Sequence, residues 1–437
     1  MRIESNAMRA VATPRARLAR AATTTTTTAA RRGVATAASR YALCAHGENL
    51  PHPDKTAKGG EDAWFARVSA ANGGGALGVA DGVGGFNDQG VDPGLYARVL
   101  SYEGLRACDD DGGGGGIFGS NARIDPRAIA IEAQARTRLP GAATMCVVAL
   151  DGKKLTCANV GDSGFRVVRG GGVACGSTAG QHYFNCPYQL AYEALAKDCD
   201  SAKDADVYSF DVEAGDVVVA GSDGLFDNVF DEEIASVVNA AYASAGDAAS
   251  AAESAAKALV KVARKHAEDK KYDSPYAREM AKSDTDKGGA PKAVGLFGGF
   301  QQMLGGGNLG GKMDDITVVV ATVVDTASSR RELARSEAVC DANTKALTKA
   351  RGLASIEETK VARTVALRKE MDDAFNEKVA EVNKREKAMA NAKSEFTRAQ
   401  IDSMDAPTVR KLLQERGLPT SGKIDRLRDR LAEVKAL

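Results

Sequence analysis

Asp216-Val-Val-Val-Ala220 runs directly into Gly221-Ser-Asp-Gly-Leu-Phe-Asp-Asn228, a β-branched apolar run that ends on glycine and two closely spaced aspartates. A run this short and this rich in valine reads as a buried strand. The aspartates are the anomaly, because Asp is a poor strand former and costly to bury. The arrangement recurs. Asp81-Gly-Val-Gly-Gly85 closes the run Ala76–Ala80, and Asp162 lies in Asn159-Val-Gly-Asp-Ser-Gly164 between two strand-like runs. Glu61 and Asp62 sit in Gly59-Gly-Glu-Asp-Ala-Trp-Phe65, and Asp314-Asp315 opens Ile316-Thr-Val-Val-Val320.

Working outward, short apolar runs at 76–80, 144–150, 164–168, 216–220 and 316–324 predict buried strands between Tyr41 and Asp325. Helical stretches are expected over 92–107, 126–138, 231–242 and 248–271. They mix with the strands without a regular βαβ alternation, so the fold class expected is α+β. The glycine-rich stretches Asp109–Gly116 and Gly288–Gly311 cannot pack a core and read as surface loops. Beyond Asp325 the composition turns to Ala, Lys, Glu and Arg. Residues 328–400 are expected as long helix, either a weak coiled coil or a helix leaning on the body, with Phe375, Val382, Met389 and Phe396 recurring every seven positions. Residues 401–437 form a final unit. At about 150 residues per domain, 437 residues suit two or three units.

Charge sums to zero, 58 basic against 58 acidic, which gives no global pull toward nucleic acid or membrane. No apolar run approaches the roughly 18 residues of a membrane span. Four histidines are too few for a histidine-rich metal cage. The eight cysteines include no CxxC pair, against both a zinc site and a disulfide scaffold, so a soluble intracellular chain with reduced thiols is expected. Residues 1–40 stand apart: eight Arg, one acid and the run Thr23–Thr28. That is the composition of an organellar transit peptide, mitochondrial or chloroplast, with a functionless tail as the alternative.

Repeated Asp beside Gly at strand ends has a chemical reading. Glycine lets a backbone carbonyl approach an ion, and several carboxylates together suit a hard cation such as Mg²⁺ or Mn²⁺. Asp and Gly are also commonplace in turns, and any one motif alone would be read that way. Five within one region favour the metal.

The ordered series Glu-Asp, Ala-Asp-Gly-Val-Gly-Gly, Val-Gly-Asp-Ser-Gly, Ser-Asp-Gly-Leu-Phe-Asp-Asn and Asp-Asp-Ile-Thr-Val resembles the metal-dependent protein phosphatases (PPM, type 2C) over about residues 45–325. Gly90-Val-Asp-Pro-Gly94, Gly180-Gln-His-Tyr-Phe-Asn185 and Tyr272-Asp-Ser-Pro-Tyr276 look like its organellar Ptc-seven-like branch. The resemblance implies a central antiparallel β-sandwich flanked by helices, spanning 41–325, with two Mg²⁺ or Mn²⁺ ions at one end. It implies a serine/threonine phosphoprotein substrate, hydrolysed by a hydroxide bridging the two ions. Motif by motif, Asp81 would bridge the ions and the Gly82 carbonyl would ligate one. Asp223 and Asp314 would complete a site, and Glu61 and Asp62 would act directly or through water. Asp162 and Asp227 match positions that, with Asp223, hold a weaker third ion in some members.

Two positions depart from the family. The Arg that many members place four residues before the Glu is Ala57 here, leaving Lys55 and Lys58 as candidate phosphate contacts without a bidentate fork. The His that many carry after Asp-Gly is Val83. His182, alone of the histidines in a branch-like motif, reads as structural. Gly305–Gly310 fits a dinucleotide fingerprint and Gly306–Lys312 the start of a P-loop, but the flanking elements are wrong and Met313 replaces the required Ser or Thr. The rival reading is a catalytically inactive phosphatase-like scaffold. Against it, every metal-ligand side chain expected is a carboxylate.

Within 401–437, Val409, Leu412 and Leu413 make one helical stripe after Pro407, Gly417–Gly422 supplies a turn, and Leu427, Leu431 and Val434 make a second stripe. The string Val-Arg-Lys-Leu-Leu-Gln-Glu-Arg-Gly-Leu-Pro-Thr-Ser-Gly-Lys resembles the SAP motif, a DNA-binding helical hairpin. The resemblance implies phosphate contacts from Lys423, Arg426, Arg428 and Arg430. A protein-docking hairpin is the alternative.

Overall fold

The last strand shows why the apolar runs are continuous. Ile316, Val318 and Val320 pack against helices, while Val319, Ala321 and Val323 pack against the opposite sheet. A strand buried on both faces has no place for a charge except at its ends, and its interior Thr322 meets the Tyr242 hydroxyl. The computed structural model describes residues 40–69, 73–109, 124–196, 199–286, 309–393 and 396–433.

The strands in chain order are β1 (Tyr41–Leu50), β2 (Asp62–Arg67), β3 (Gly75–Asp81), β4 (Ala142–Ala143), β5 (Met145–Asp151), β6 (Lys154–Val160), β7 (Gly164–Arg169), β8 (Gly172–Gly176), β9 (Gln181–Tyr183), β10 (Cys186–Pro187), β11 (Leu190–Ala191), β12 (Asp206–Asp211), β13 (Val217–Gly221) and β14 (Ile316–Asp325). The helices are α1 (Pro93–Asp109), α2 (Pro126–Arg136), α3 (Asp223–Phe226), α4 (Asp231–Ser244), α5 (Ala248–Glu268), α6 (Pro275–Asp286), α7 (Arg330–Lys393), α8 (Arg398–Ser403), α9 (Ala406–Glu415) and α10 (Ile424–Glu433).

Two five-stranded sheets, ordered β1-β14-β13-β7-β8 and β12-β6-β5-β3-β2, are antiparallel throughout. Leu43, Phe165, Val218 and Val319 of the first meet Leu77, Val148 and Leu155 of the second. Each such side chain contributes roughly 2 kcal/mol by leaving water. Tyr96, Leu100 and Ile129 of α1 and α2 cover the outer face of the second sheet, and Ile234, Val238 and Leu259 of α4 and α5 cover the first. This is the helix-flanked antiparallel sandwich expected from the sequence.

The edge strands β1 and β2 would expose unpaired backbone, a liability that the first half of α7 removes. Ser336 Oγ accepts from the Ala45 N–H at 2.7 Å and donates to the Ala45 carbonyl at 2.8 Å. Asn343 Nδ2 donates to the Trp64 carbonyl at 2.7 Å. Leu333, Cys340, Leu347, Ala354 and Val361 are buried at seven-residue spacing. The division placed near Asp325 by composition therefore falls within α7, between Val361 and Ala362. In the second unit Leu367, Met371, Phe375, Val379 and Val382 are exposed.

That second unit ends in three short helices. Ile401, Val409, Leu413, Leu427 and Leu431 form their shared core. Asp405 caps α9 by accepting from the Thr408 N–H at 3.0 Å, and Gly417, with φ of 66°, turns the chain at its end. Residues 1–39, most of both glycine-rich stretches, most of the dinucleotide-like match and the first three residues of the P-loop-like match lie outside the described residues. Among the described residues, no helix is long and apolar enough to cross a membrane. All eight cysteines are free thiols.

Candidate active site

Glu61, Asp62, Asp81, Asp162, Asp223, Asp227, Asp314 and Asp315 meet at one end of the sandwich, where β2, β7 and β14 begin and β3, β6 and β13 finish. Antiparallel pairing sets Asp62 opposite Asp81. The Gly82 N–H donates to the Glu61 carbonyl at 3.1 Å and the Thr144 N–H to the Asp81 carbonyl at 2.9 Å. A Cβ on Gly82 would lie 2.6 Å from the Pro93 carbonyl oxygen, so only glycine fits there. Ser222 Oγ donates to Asp62 Oδ2 at 2.7 Å and accepts from the Thr317 N–H at 3.1 Å. A Cβ on Gly224 would lie 2.0 Å from the Asp315 carbonyl oxygen. That close approach brings the first turn of α3, with Asp223, against Asp314 and Asp315.

Two ammonium groups stand among the acids. Lys55 Nζ lies 2.7 Å from Glu61 Oε2, 3.1 Å from Asp315 Oδ2 and 3.5 Å from Asp314 Oδ1. Lys312 Nζ pairs with Asp223 Oδ2, with Asp227 Oδ2 at 2.8 Å and with Asp314 Oδ2 at 3.7 Å. Burial opposes both charges, and the surrounding carboxylates outweigh it, so both lysines are held above the usual range.

Two positive charges do not balance the cluster. Burial, then the neighbouring acids, push the Asp81 and Asp162 carboxyls well above the ordinary range. Burial and Asp315 take Asp62 up to about 8, although the Ser222 hydroxyl works the other way. Burial takes Asp227 to about 7 against the pull of Lys312. Burial raises Asp223 as well, but Lys312, Asp81 and Lys55 together outweigh it, and this carboxyl lies below its ordinary value. Asp62 Oδ1 and Asp162 Oδ1 are buried and accept no hydrogen bond. Buried carboxylate oxygens without donors, in an all-oxygen set, fit a hard divalent cation. Among the described residues no three such side chains already converge as a closed cage, since the lysines draw the carboxylates to themselves.

The other expected residues divide. Lys55, expected to meet phosphate, pairs with Glu61, Asp314 and Asp315 and keeps 27% of its side chain exposed. Lys58 stays at the rim, donating to Asn87 Oδ1 at 3.3 Å, while Asn87 Nδ2 donates to Glu61 Oε1 at 2.7 Å. Sequence reasoning missed Arg98, half-buried beside the cluster, whose Nη1 donates to the Gly60 carbonyl at 3.1 Å. Its signal was the preceding Gly90–Gly94 motif, one helical turn away. Asp315 and Lys312 were also missed as site residues. His182 pairs with Asp200 at 3.0 Å and meets the Tyr188 ring edge-on, a structural role.

In the C-terminal unit Lys423 and Arg426 are exposed. Arg428 and Arg430, expected as phosphate contacts, donate to the Met404 carbonyl and to the Pro419 and Ser421 carbonyls. Arg428 thereby satisfies the acceptor left open at the end of α8, and Arg430 those of the loop between α9 and α10.

No family model matches the chain. It is 38% identical over 278 residues to "Probable protein phosphatase 2C 26" of Arabidopsis thaliana, covering 63% of this chain and 82% of that protein. It is 35% identical over 278 residues to "Protein phosphatase PTC7 homolog" of Homo sapiens, covering 61% and 80%. A solved structure described as the photosystem II phosphatase PBCP superposes with a TM-score of 0.52 at 36% identity, over 64% of this chain and 98% of that one.

Proposed function

This chain belongs to the protein phosphatase 2C family, a family of serine/threonine phosphatases, and on that premise we propose that it hydrolyses phosphoserine and phosphothreonine in proteins with Mg²⁺ or Mn²⁺ at the strand-end acids. Asp81, the Gly82 carbonyl, Glu61, Asp62, Asp223 and Asp314 would hold the ions. The observation that carries this reading is the buried, donor-free oxygen of Asp62, facing acids that have too few counter-charges.

When bound, a pair of divalent cations supplies Lewis-acid charge for the phosphoryl oxygens and a nucleophile at neutral pH. The chain's own groups do the positioning. Ser222 fixes Asp62, Asn87 orients Glu61, and Asp315 anchors the Glu61 N–H. Lys58 at the rim, with the partly exposed Lys55 and Arg98, supplies the cationic side chains nearest the acids for substrate phosphate. No imidazole ring contacts the acids of the site: His46 meets Glu48, His52 the Asp54 N–H, His182 Asp200 and His266 Glu233.

Two further readings attach to the ends of the chain. The Arg-rich composition of residues 1–40 supports import into an organelle, and the solved relative described as a photosystem II phosphatase favours a plastid. Lys423 and Arg426 support weak duplex DNA binding by a SAP-like unit.

The deciding test is phosphate release from a phosphothreonine peptide with Mn²⁺. Release that chelation abolishes supports the enzyme. No release at any Mn²⁺ concentration would leave the inactive scaffold.

A further inference from the structure

The strap that carries Lys312 is held more firmly than a loop lysine requires. The Gly310 N–H donates to the Tyr272 carbonyl at 2.8 Å and the Gly311 N–H to the Asp269 carbonyl at 3.0 Å. Ser274 Oγ donates to the Gly310 carbonyl at 2.6 Å. Asn228, fully buried, then clamps Lys312 with both ends of its amide. Its Oδ1 accepts the Lys312 N–H and its Nδ2 donates to the Lys312 carbonyl, each at 2.9 Å. Asn228 follows Asp227 in sequence, so one clamp fixes the lysine and its acidic partner in a common frame.

From that frame the Lys312 side chain reaches inward. Its ammonium meets Asp223, Asp227 and Asp314 and lies 5.6 Å from the centre of the Tyr276 ring, whose face favours a cation. Only 17% of the side chain is exposed. An excursion to solvent would leave buried carboxylates without their partner, which is strongly unfavourable.

We propose that Lys312 is a tethered cation that permanently fills the Asp223–Asp227 end of the acid cluster, where a further divalent ion would otherwise bind. The proposal rests on the metal reading above and deepens it. A lysine supplied by the chain is present at every metal concentration, and its single charge needs no octahedral shell. Asp227 then serves Lys312 rather than an ion, while the acids around Asp81 remain for Mg²⁺ or Mn²⁺.

The test is the number of Mn²⁺ ions bound per full-length chain, counted by titration calorimetry and native mass spectrometry. Lys312→Met should bind one ion more than wild type and show a larger Mn²⁺-induced rise in Tm. Lys312→Arg should keep the wild-type count. Asp227→Asn should also keep it, with affinity within about threefold of wild type. No added ion in Lys312→Met, or one lost in Asp227→Asn, overturns the proposal while wild-type Mn²⁺ binding leaves the metal reading intact. A wild-type chain that binds no Mn²⁺ overturns both. If Lys312→Met does not fold, the Asp227→Asn count decides.

Discussion

Asp315 Oδ2 accepts a hydrogen bond from the main-chain N–H of Glu61 at 3.0 Å, across 254 positions of sequence. Its Oδ1 accepts from the His52 N–H at 2.7 Å, and Lys55 Nζ donates to Oδ2 at 3.1 Å. One buried carboxylate thus ties the β1–β2 connection to the mouth of β14 and determines where Glu61 presents its own carboxylate. Asp315 positions the site.

Asp315→Ala should therefore lower stability by about 3 kcal/mol, since it leaves the buried Glu61 N–H and the His52 N–H without their acceptor and takes one of three carboxylates from Lys55. Asp315→Asn, which keeps the shape and one acceptor oxygen, should cost less. Urea denaturation of both variants checks the order. An alanine variant within about 1 kcal/mol of wild type would show that the staple contributes little.

Asp81→Asn should remove turnover and leave the fold intact. Losing one negative charge from an overcrowded cluster relieves repulsion in the metal-free protein, so Tm should hold or rise. Phosphate release and thermal melts in chelator measure the two halves. Activity above roughly a tenth of wild type would count against Asp81 as a ligand.

Asp247 caps α5 by accepting from the Ser250 N–H at 2.7 Å and also receives Arg335 Nη1 at 2.8 Å. The Ser250 hydrogen bonds, with Arg335 adding, hold its carboxyl below the ordinary range. Asp247→Ala should cost about 1 kcal/mol at neutral pH. Because the folded pKa is depressed, this stabilisation is present above the unfolded value of 3.8 and is lost as pH falls through the folded one. The Tm gap between wild type and variant should accordingly close in acid. A gap that stays constant down to acid unfolding would assign the effect to helix propensity instead.

Residues 1–45 fused to a fluorescent reporter should carry it into an organelle, given eight Arg against one acid in the first 40 positions. Diffuse cytosolic fluorescence would reject the targeting role.

Duplex DNA should bind the full chain weakly at low salt, and Lys423→Glu with Arg426→Glu should abolish that binding. Arg428→Ala should instead loosen the helical unit, because it frees the Met404 carbonyl. Binding unchanged by the double charge reversal would reject these two residues as the contact.

The sequence by itself determined the strands buried on both faces and the acids at their ends. Val217–Gly221 and Ile316–Val324 carry no charge and no polar side chain but Thr317 and Thr322, because helices cover one side and a sheet the other, and Asp223 and Asp314 mark where each run stops or starts. Such patterns are local, so a single chain segment carries them. Strand β12 was not legible, since Asp206–Asp211 is a largely exposed edge in which only Tyr208 and Phe210 lean on the core, between aspartates. Only the tertiary structure decided which cations meet those acids. Lys312 lies 89 positions from Asp223 and directly follows the stretch that reads as glycine-rich loop, and Lys55 lies 260 positions from Asp315. Only the tertiary structure, likewise, assigned the start of α7 to the sandwich, because Ser336 and Asn343 act on strand edges exposed by a topology that no local window contains. Charge compensation and edge protection depend on distances between remote segments, and those exist only once the sheets have paired.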